Sequence, residues 1–110
     1  MSDRAARLTA AVVIPCLDEE ASIGLLVGDV QAVASDPSLP ITIARILVVD
    51  NGSTDRTADV AREAGAEVVP EPRRGYGRAC LTGVLAAGDV DLVVLMDGDR
   101  SDVPAELPLL

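Results

Sequence analysis

The sequence predicts an α/β fold, with alternating β-α units that form a parallel sheet and helices on both of its faces. Short apolar runs rich in β-branched residues alternate with longer segments whose apolar residues recur at helical spacing. The apolar runs show no regular alternation with polar residues, as expected of strands that are covered on both sides. Parallel strands need crossover connections, which are nearly always right-handed, so the expected sheet is Rossmann-like.

The first half of the chain supplies two strands and the helix between them. Residues 10–16 form an apolar, partly β-branched run and predict the first strand. A helix is expected at 21–34, where the apolar residues form a stripe, and the proline-containing stretch 36–40 ends it. Residues 45–50 predict the second strand, and residues 51–54 predict a turn that caps the next helix.

The second half continues the alternation. The second helix is expected at 55–64, with Asp55 near its positive N-terminal end and Gly65 as its C-terminal stop. Gly88 ends the third helix in the same way. The remaining elements are expected in the order strand 67–70, helix 75–87 and strand 91–96, with the first turn of another helix at 104–106.

The 110 residues fit one small domain spanning 1–110. Tyr76 is the only aromatic residue, so the core must be aliphatic. The net charge of −9 argues against nucleic acid as a partner, because such binding depends on cationic side chains. Arg73, Arg74 and Arg78 lie close together and predict a local anion contact, with a solvated loop as the alternative.

Cys16 and Cys80 are far apart and form no C-x-x-C pair, which favours free thiols in a reducing cytosol. No apolar stretch approaches the roughly 18 residues that span a bilayer, and the N-terminus lacks a signal-peptide core. We therefore expect a cytoplasmic location, with peripheral attachment of a longer protein to the cytoplasmic membrane as an alternative.

Acidic residues follow the predicted strands. Asp97 and Asp99 come directly after a five-residue apolar run, and residues 18–20, Asp50 and Glu71 follow the other strands. Ligands of open parallel sheets bind beyond the carboxyl ends of the strands, and carboxylates gathered there favour a divalent cation. This pattern predicts a metal-dependent nucleotide or phosphate site, and a solvated acidic turn is the alternative.

Gly75 and Gly77 open the third predicted helix, where backbone N–H groups can approach a phosphate closely. A flexible loop is the alternative for this segment. Two familiar phosphate motifs are absent. The motif G-x-G-x-x-G would follow the first strand, where residues 15–19 read Pro-Cys-Leu-Asp-Glu, and no P-loop occurs.

Four ordered segments together resemble family 2 glycosyltransferases of the GT-A fold, a group that includes polyprenyl-phosphate mannosyl- and glucosyltransferases. These segments are residues 12–20, 48–57, 74–79 with Gly83, and 96–99, the last as a D-x-D metal motif followed by Pro104. The resemblance implies metal-dependent transfer of a sugar from a nucleotide-diphosphate donor, with inversion at the anomeric carbon. The biology that it implies is cell-envelope glycan synthesis on an acceptor such as a polyprenyl phosphate.

The resemblance also implies roles for individual residues. Asp97 and Asp99 would hold Mg²⁺ or Mn²⁺, Asp50 would contact the base of a UDP- or GDP-linked donor, and Arg78 would lie near that donor. Asn51 stands where many members have a second Asp, so no ionic role is expected for it. The nucleotide-sugar-binding residues implied are Pro15, Leu17, Glu19, Asp50, Arg78, Asp97 and Gly98. A catalytic base is expected beyond Leu110, in an acceptor half, and a phosphate acceptor would need such a base less than a sugar hydroxyl would.

Two other functions fit parts of the pattern. A phosphatase of the haloacid dehalogenase type would use Asp97 as nucleophile and Asp99 as acid/base. That motif normally lies near the start of a chain and acts with a Lys, of which this sequence has none. A non-catalytic nucleotide-binding fragment is the second alternative, because the sequence ends eleven residues after Asp99.

Overall fold

The computed structural model describes residues 7–98, and within them the predicted alternation of strands and helices is confirmed. The strands are β1 (Leu8–Cys16), β2 (Ile41–Asp50), β3 (Glu67–Pro70) and β4 (Leu92–Leu95). The helices are α1 (Ile23–Ala34), α2 (Thr57–Glu63) and α3 (Tyr76–Ala86). All strand pairs are parallel, and the order across the sheet is β3-β2-β1-β4. The Rossmann-like α/β class is therefore confirmed. Asp99 and the helical turn expected at 104–106 lie outside the described residues.

The main boundary differences lie at the starts of elements. β2 begins at Ile41 rather than at 45, because residues 41–43 pair with the start of β1 ahead of a register shift between Ala10 and Ala11. α2 begins at Thr57 rather than at 55, since the Asp55 carboxylate accepts a hydrogen bond from the Thr57 N–H and so precedes the helix. No cap bond from the 51–54 turn to α2 forms, contrary to expectation.

Helices cover both faces of the sheet, as predicted. α1 and α2 pack on one face, where Val12 and Ile14 of β1 contribute to a fully buried aliphatic cluster. α3 covers the other face, against Ala11 and Val13 of the same strand. Alternate residues of one central strand therefore enter two separate cores, which explains why the strand is apolar throughout.

α3 lies very close to the sheet at Gly83. A Cβ atom at this position would overlap Val13 Cγ1 and lie 2.9 Å from Val49 Cγ2. This close approach fixes the height of α3 above the strands and therefore the place where its N-terminus begins. In the described part of the chain, no helix has the length and apolar character needed to span a membrane.

Candidate functional site

A cleft of about 550 Å³ lies where the carboxyl ends of β1, β2 and β4 meet the start of α3. The structure brings together five of the predicted binding residues along its wall, and these are Pro15, Leu17, Glu19, Asp97 and Gly98. Six further residues line it that are not among the nucleotide-sugar-binding residues implied by the resemblance, and these are Cys16, Asn51, Arg74, Gly75, Tyr76 and Ala79. Of these, Arg74 and Gly75 belong to the segment for which the sequence predicts an anion or phosphate contact. Asp50 and Arg78 lie outside this lining.

The loop after β1 is held by the loop after β2. The Asp18 N–H donates to Ser53 Oγ at 2.9 Å, and the Thr54 N–H donates back to Asp18 Oδ1 at 2.7 Å. The Glu19 N–H donates to Thr57 Oγ1 at 2.8 Å. Asp18 adopts a positive φ of 54°, which Asp tolerates better than most residues. The Ser-Thr-Asp-Arg-Thr segment thus shapes the cleft wall.

The acidic residues at the strand ends do not all face the cleft. Asp18 is engaged by Thr54, as described above, and Asp50 Oδ1 accepts the Ser53 N–H at 2.9 Å. Glu71 is buried away from the cleft and is held by its own partners. These three carboxylates therefore do not line the cleft, and each accepts hydrogen bonds from other loop or helix residues.

Glu71 accepts hydrogen bonds from the Arg73 side chain and from Thr82 Oγ1, the latter at 2.6 Å. These bonds, with that from the Arg73 N–H, lower the pKa of Glu71 to about 2. Arg73 is thereby paired with a buried carboxylate. Of the three clustered arginines, Arg74 alone lines the cleft, and Arg78 is exposed with no hydrogen-bond or ion-pair partner within residues 7–98.

Glu71→Gln should destabilise the protein in a pH-dependent way. Because the pKa of the folded form lies below the ordinary value of 4.5, ionised Glu71 stabilises the fold above about pH 4.5, and this contribution is lost as the pH falls towards 2. Thermal melts should therefore show a Tm deficit at neutral pH that shrinks in acid. Asp89→Asn, at an exposed side chain, is the control. A deficit that is constant with pH would contradict the assignment.

Asn51 has a structural role in the cleft that the sequence alone does not reveal. Its side chain is buried, and Nδ2 donates to the carbonyls of Glu71 and Arg73, both at 2.8 Å. Its Oδ1 accepts the Gly75 N–H at 3.1 Å. One amide therefore fixes the whole segment between β3 and α3. An aspartate has no N–H group and cannot donate the first two bonds. The presence of Asn where many family members have Asp is the sequence feature that could have indicated this role.

The β4 end of the cleft is built around Asp97 and Gly98. The Tyr76 hydroxyl donates to Asp97 Oδ1 at 3.3 Å, and the Gly98 carbonyl accepts from Ser22 Oγ at 2.8 Å. A Cβ at Gly98 would lie 2.5 Å from Cys16 Sγ, so only glycine fits beneath this wall.

Two side chains of this wall have raised pKa values. Hydrogen bonding with Cys80, partial burial and the Asp97 charge raise the pKa of Tyr76 to about 12. Burial, and to a smaller extent the Glu19 charge, raises the pKa of the Cys16 thiol to about 12, so this thiol stays protonated.

The donor set of this end fits a divalent cation that is shared with a phosphate ligand. Mg²⁺ usually takes one or two protein carboxylates and completes its shell with phosphate oxygens and water. Asp97 supplies one carboxylate at the cleft, whereas residues 7–98 contain no group of three or more side chains able to hold a metal alone. Asp99, the second predicted ligand, lies outside the described residues.

The model of glycosyl transferase family 2 matches residues 11–110. An uncharacterized glycosyltransferase of Mycobacterium tuberculosis is 46% identical over 99 residues, which cover 90% of this chain and 40% of that protein. A dolichyl-phosphate hexose transferase of Haloferax volcanii is 37% identical over 98 residues, with coverages of 89% and 40%. The chain thus spans about two fifths of the length of these curated relatives.

Solved structures agree with these matches. Glucosyl-3-phosphoglycerate synthase from M. tuberculosis, in complex with Mn²⁺, uridine diphosphate and glucosyl-3-phosphoglycerate, superposes with a TM-score of 0.72 at 31% identity. The alignment covers 84% of this chain and 34% of that one. The family resemblance inferred from the four motifs is confirmed.

Proposed function

We propose, because this chain belongs to glycosyl transferase family 2, that its cleft binds the nucleoside diphosphate of a sugar donor together with Mg²⁺ or Mn²⁺. One observation carries the proposal. Segments that are separated in the sequence, at 15–19, 51, 74–79 and 97–98, line one cleft at the carboxyl edge of a parallel sheet. The activity of the whole protein would be transfer of that sugar, with inversion, to an acceptor.

The order of the strands suggests how a donor would lie. Asn51 and Arg74 mark the β2 side of the cleft, and Asp97 marks the β4 side, with β1 between them. Two strand spacings separate these sides, about 10 Å. A nucleoside diphosphate can bridge that distance with its base towards β2 and its phosphates towards Asp97. Asp50, at the end of β2, and exposed Arg78 keep their predicted roles near base and donor as proposals.

Each group would contribute by binding or orientation. Asp97, with Asp99 as its predicted partner, would hold the cation, which as a Lewis acid neutralises charge on the departing nucleoside diphosphate. The N-terminus of α3, preceded by Gly75 with a φ of 135°, presents the positive end of a helix dipole at the cleft. Arg74 adds a cation at the opposite side, where its guanidinium lies 3.5 Å from the Gly52 carbonyl.

Uridine diphosphate is the first donor component to test, because the solved relatives carry it with Mn²⁺ or Mg²⁺. A GDP-linked donor is the other candidate. For the acceptor, three curated relatives have names that refer to dolichyl phosphate, to undecaprenyl phosphate and to 3-phosphoglycerate. These acceptors share a phosphate group, and we propose a phosphate-bearing acceptor such as a polyprenyl phosphate for this protein.

Calorimetry with UDP and with GDP, each in Mn²⁺ and in EDTA, tests the donor proposal. We expect one nucleotide to bind with Mn²⁺ and to lose most of its affinity in EDTA. Asp97→Asn should weaken the Mn²⁺-dependent binding by at least about tenfold, since even indirect partners of metal ligands contribute that much. Asp89→Asn removes the same charge from an exposed site and should change nothing. Absence of metal-dependent binding for every nucleotide would overturn the proposal.

A further inference from the structure

We propose that Tyr76 is a positioning residue that orients the Asp97 carboxylate for its cation, a role that rests on the proposed function. Tyr76 opens α3, and Asp97 follows β4, so the two belong to elements that pack independently against β1. The phenol oxygen lies 3.3 Å from Asp97 Oδ1, and both side chains line the cleft.

Burial does not explain the place of this ring. Tyr76 is 60% exposed although it is the only aromatic residue of the chain. An aromatic side chain that served only to fill the core would be buried. The phenol group also hydrogen-bonds with Cys80, which does not line the cleft, and its bond to Asp97 is the contact that directs it to the cleft wall.

The backbone beneath Tyr76 is held firmly. The Gly75 N–H bonds to Asn51 Oδ1 at 3.1 Å, Ala79 is 1% exposed, and Gly83 lies against the sheet. The Cα of Tyr76 is therefore fixed relative to β1 and β2. The positions that the Tyr76 hydroxyl can reach are limited as a result. A donor fixed in this way restricts the rotamers of a half-buried carboxylate at a strand end.

The hydrogen bond is compatible with cation binding. A carboxylate offers about four acceptor sites on its two oxygens, and the bond from Tyr76 uses one of them. Partners that orient a ligating side chain typically contribute 10–100-fold in metal affinity. Because this contact is long and the phenol is exposed, we expect the lower end of that range.

Tyr76→Phe removes the hydroxyl and keeps the ring. With UDP in the presence of Mn²⁺, calorimetry should show about tenfold weaker binding than wild type, whereas binding in EDTA and the Tm should be unchanged. A loss confined to the Mn²⁺ condition separates orientation of Asp97 from contact of the ring with the nucleotide.

Three results would overturn the proposal in distinguishable ways. Equal affinity of Tyr76→Phe and wild type in Mn²⁺ would remove the positioning role and leave the donor site intact. Equal losses in Mn²⁺ and in EDTA would assign Tyr76 to the nucleotide itself. Absence of Mn²⁺-dependent binding in the wild type would overturn the proposed function and this inference with it.

The ligand-free protein offers a second test, because the tyrosine emission of a chain without Trp comes from Tyr76 alone. A carboxylate that accepts the phenol hydrogen bond quenches this emission. Asp97→Asn leaves a weaker acceptor and should raise the emission, whereas Asp89→Asn should leave it unchanged. Equal emission from the two variants would show that the contact is not made in solution, and would overturn the inference.

Discussion

Gly83→Ala is expected to destabilise the protein by about 2 kcal/mol, although alanine is the better helix former. The added methyl group would overlap Val13 Cγ1 and approach Val49 Cγ2 to 2.9 Å, both on central strands of the sheet. These neighbours are fully buried and cannot swing aside, so α3 has to lift away from the sheet. Chemical denaturation of the variant and the wild type measures the difference.

Gly77→Ala is the matched control, because it makes the same change in the same helix. A Cβ at Gly77 meets nothing within 4 Å, so only the helix preference remains and the expected effect is neutral or stabilising by about 0.5 kcal/mol. Opposite signs for the two variants would assign the cost at Gly83 to helix–sheet contact. Equal effects would contradict the close packing described for α3.

Asn51→Asp should cost about 2–4 kcal/mol, an effect larger than its isosteric shape suggests. The substitution removes both Nδ2–H donors and directs a buried carboxylate at the carbonyls of Glu71 and Arg73. Since the same amide fixes Gly75 at the start of α3, we also expect weaker nucleotide binding. Denaturation and calorimetry on one preparation measure both effects.

Acid should relieve part of this cost. The introduced carboxyl faces two carbonyl oxygens, so its pKa in the folded state should be raised, and the neutral form can donate one hydrogen bond. The stability deficit should thus be largest above the raised pKa of the folded state, and it should shrink as the pH falls from there towards the ordinary pKa of an aspartate. Gln31→Glu is the control, because it makes the same chemical change where an exposed amide donates a single bond, to the Ala64 carbonyl. A comparable deficit in both variants would contradict the role of Asn51.

The three clustered arginines illustrate how much of the site could be predicted from the sequence. The cluster itself is evident, and an anion contact was a reasonable inference. Yet Arg73 is paired with buried Glu71, Arg74 lines the cleft, and Arg78 is exposed outside it. Neighbouring positions in a loop point in different directions, so their roles depend on what the fold places opposite them.

For the acidic residues, too, the sequence indicates the position of each side chain along the chain but not the direction in which it points. The alternation of apolar runs and turn residues located Asp18, Asp50, Glu71 and Asp97 at strand ends, because strand ends are encoded locally. Whether each carboxylate faces the cleft depended on partners elsewhere, such as Thr54, which lies 36 positions from Asp18. Such partners are invisible in a single sequence.

The sequence by itself determined the order of strands and helices, the apolar character of β1 and the place of Asp97 after β4, because hydrophobic periodicity and turn residues act over a few positions. Tertiary structure alone decided that Asn51 holds the segment before α3, that Gly83 sets the height of that helix, and that Tyr76 reaches Asp97. Each of these depends on atoms brought together by the parallel crossovers, and the distance between such atoms is a property of the packed sheet and helices.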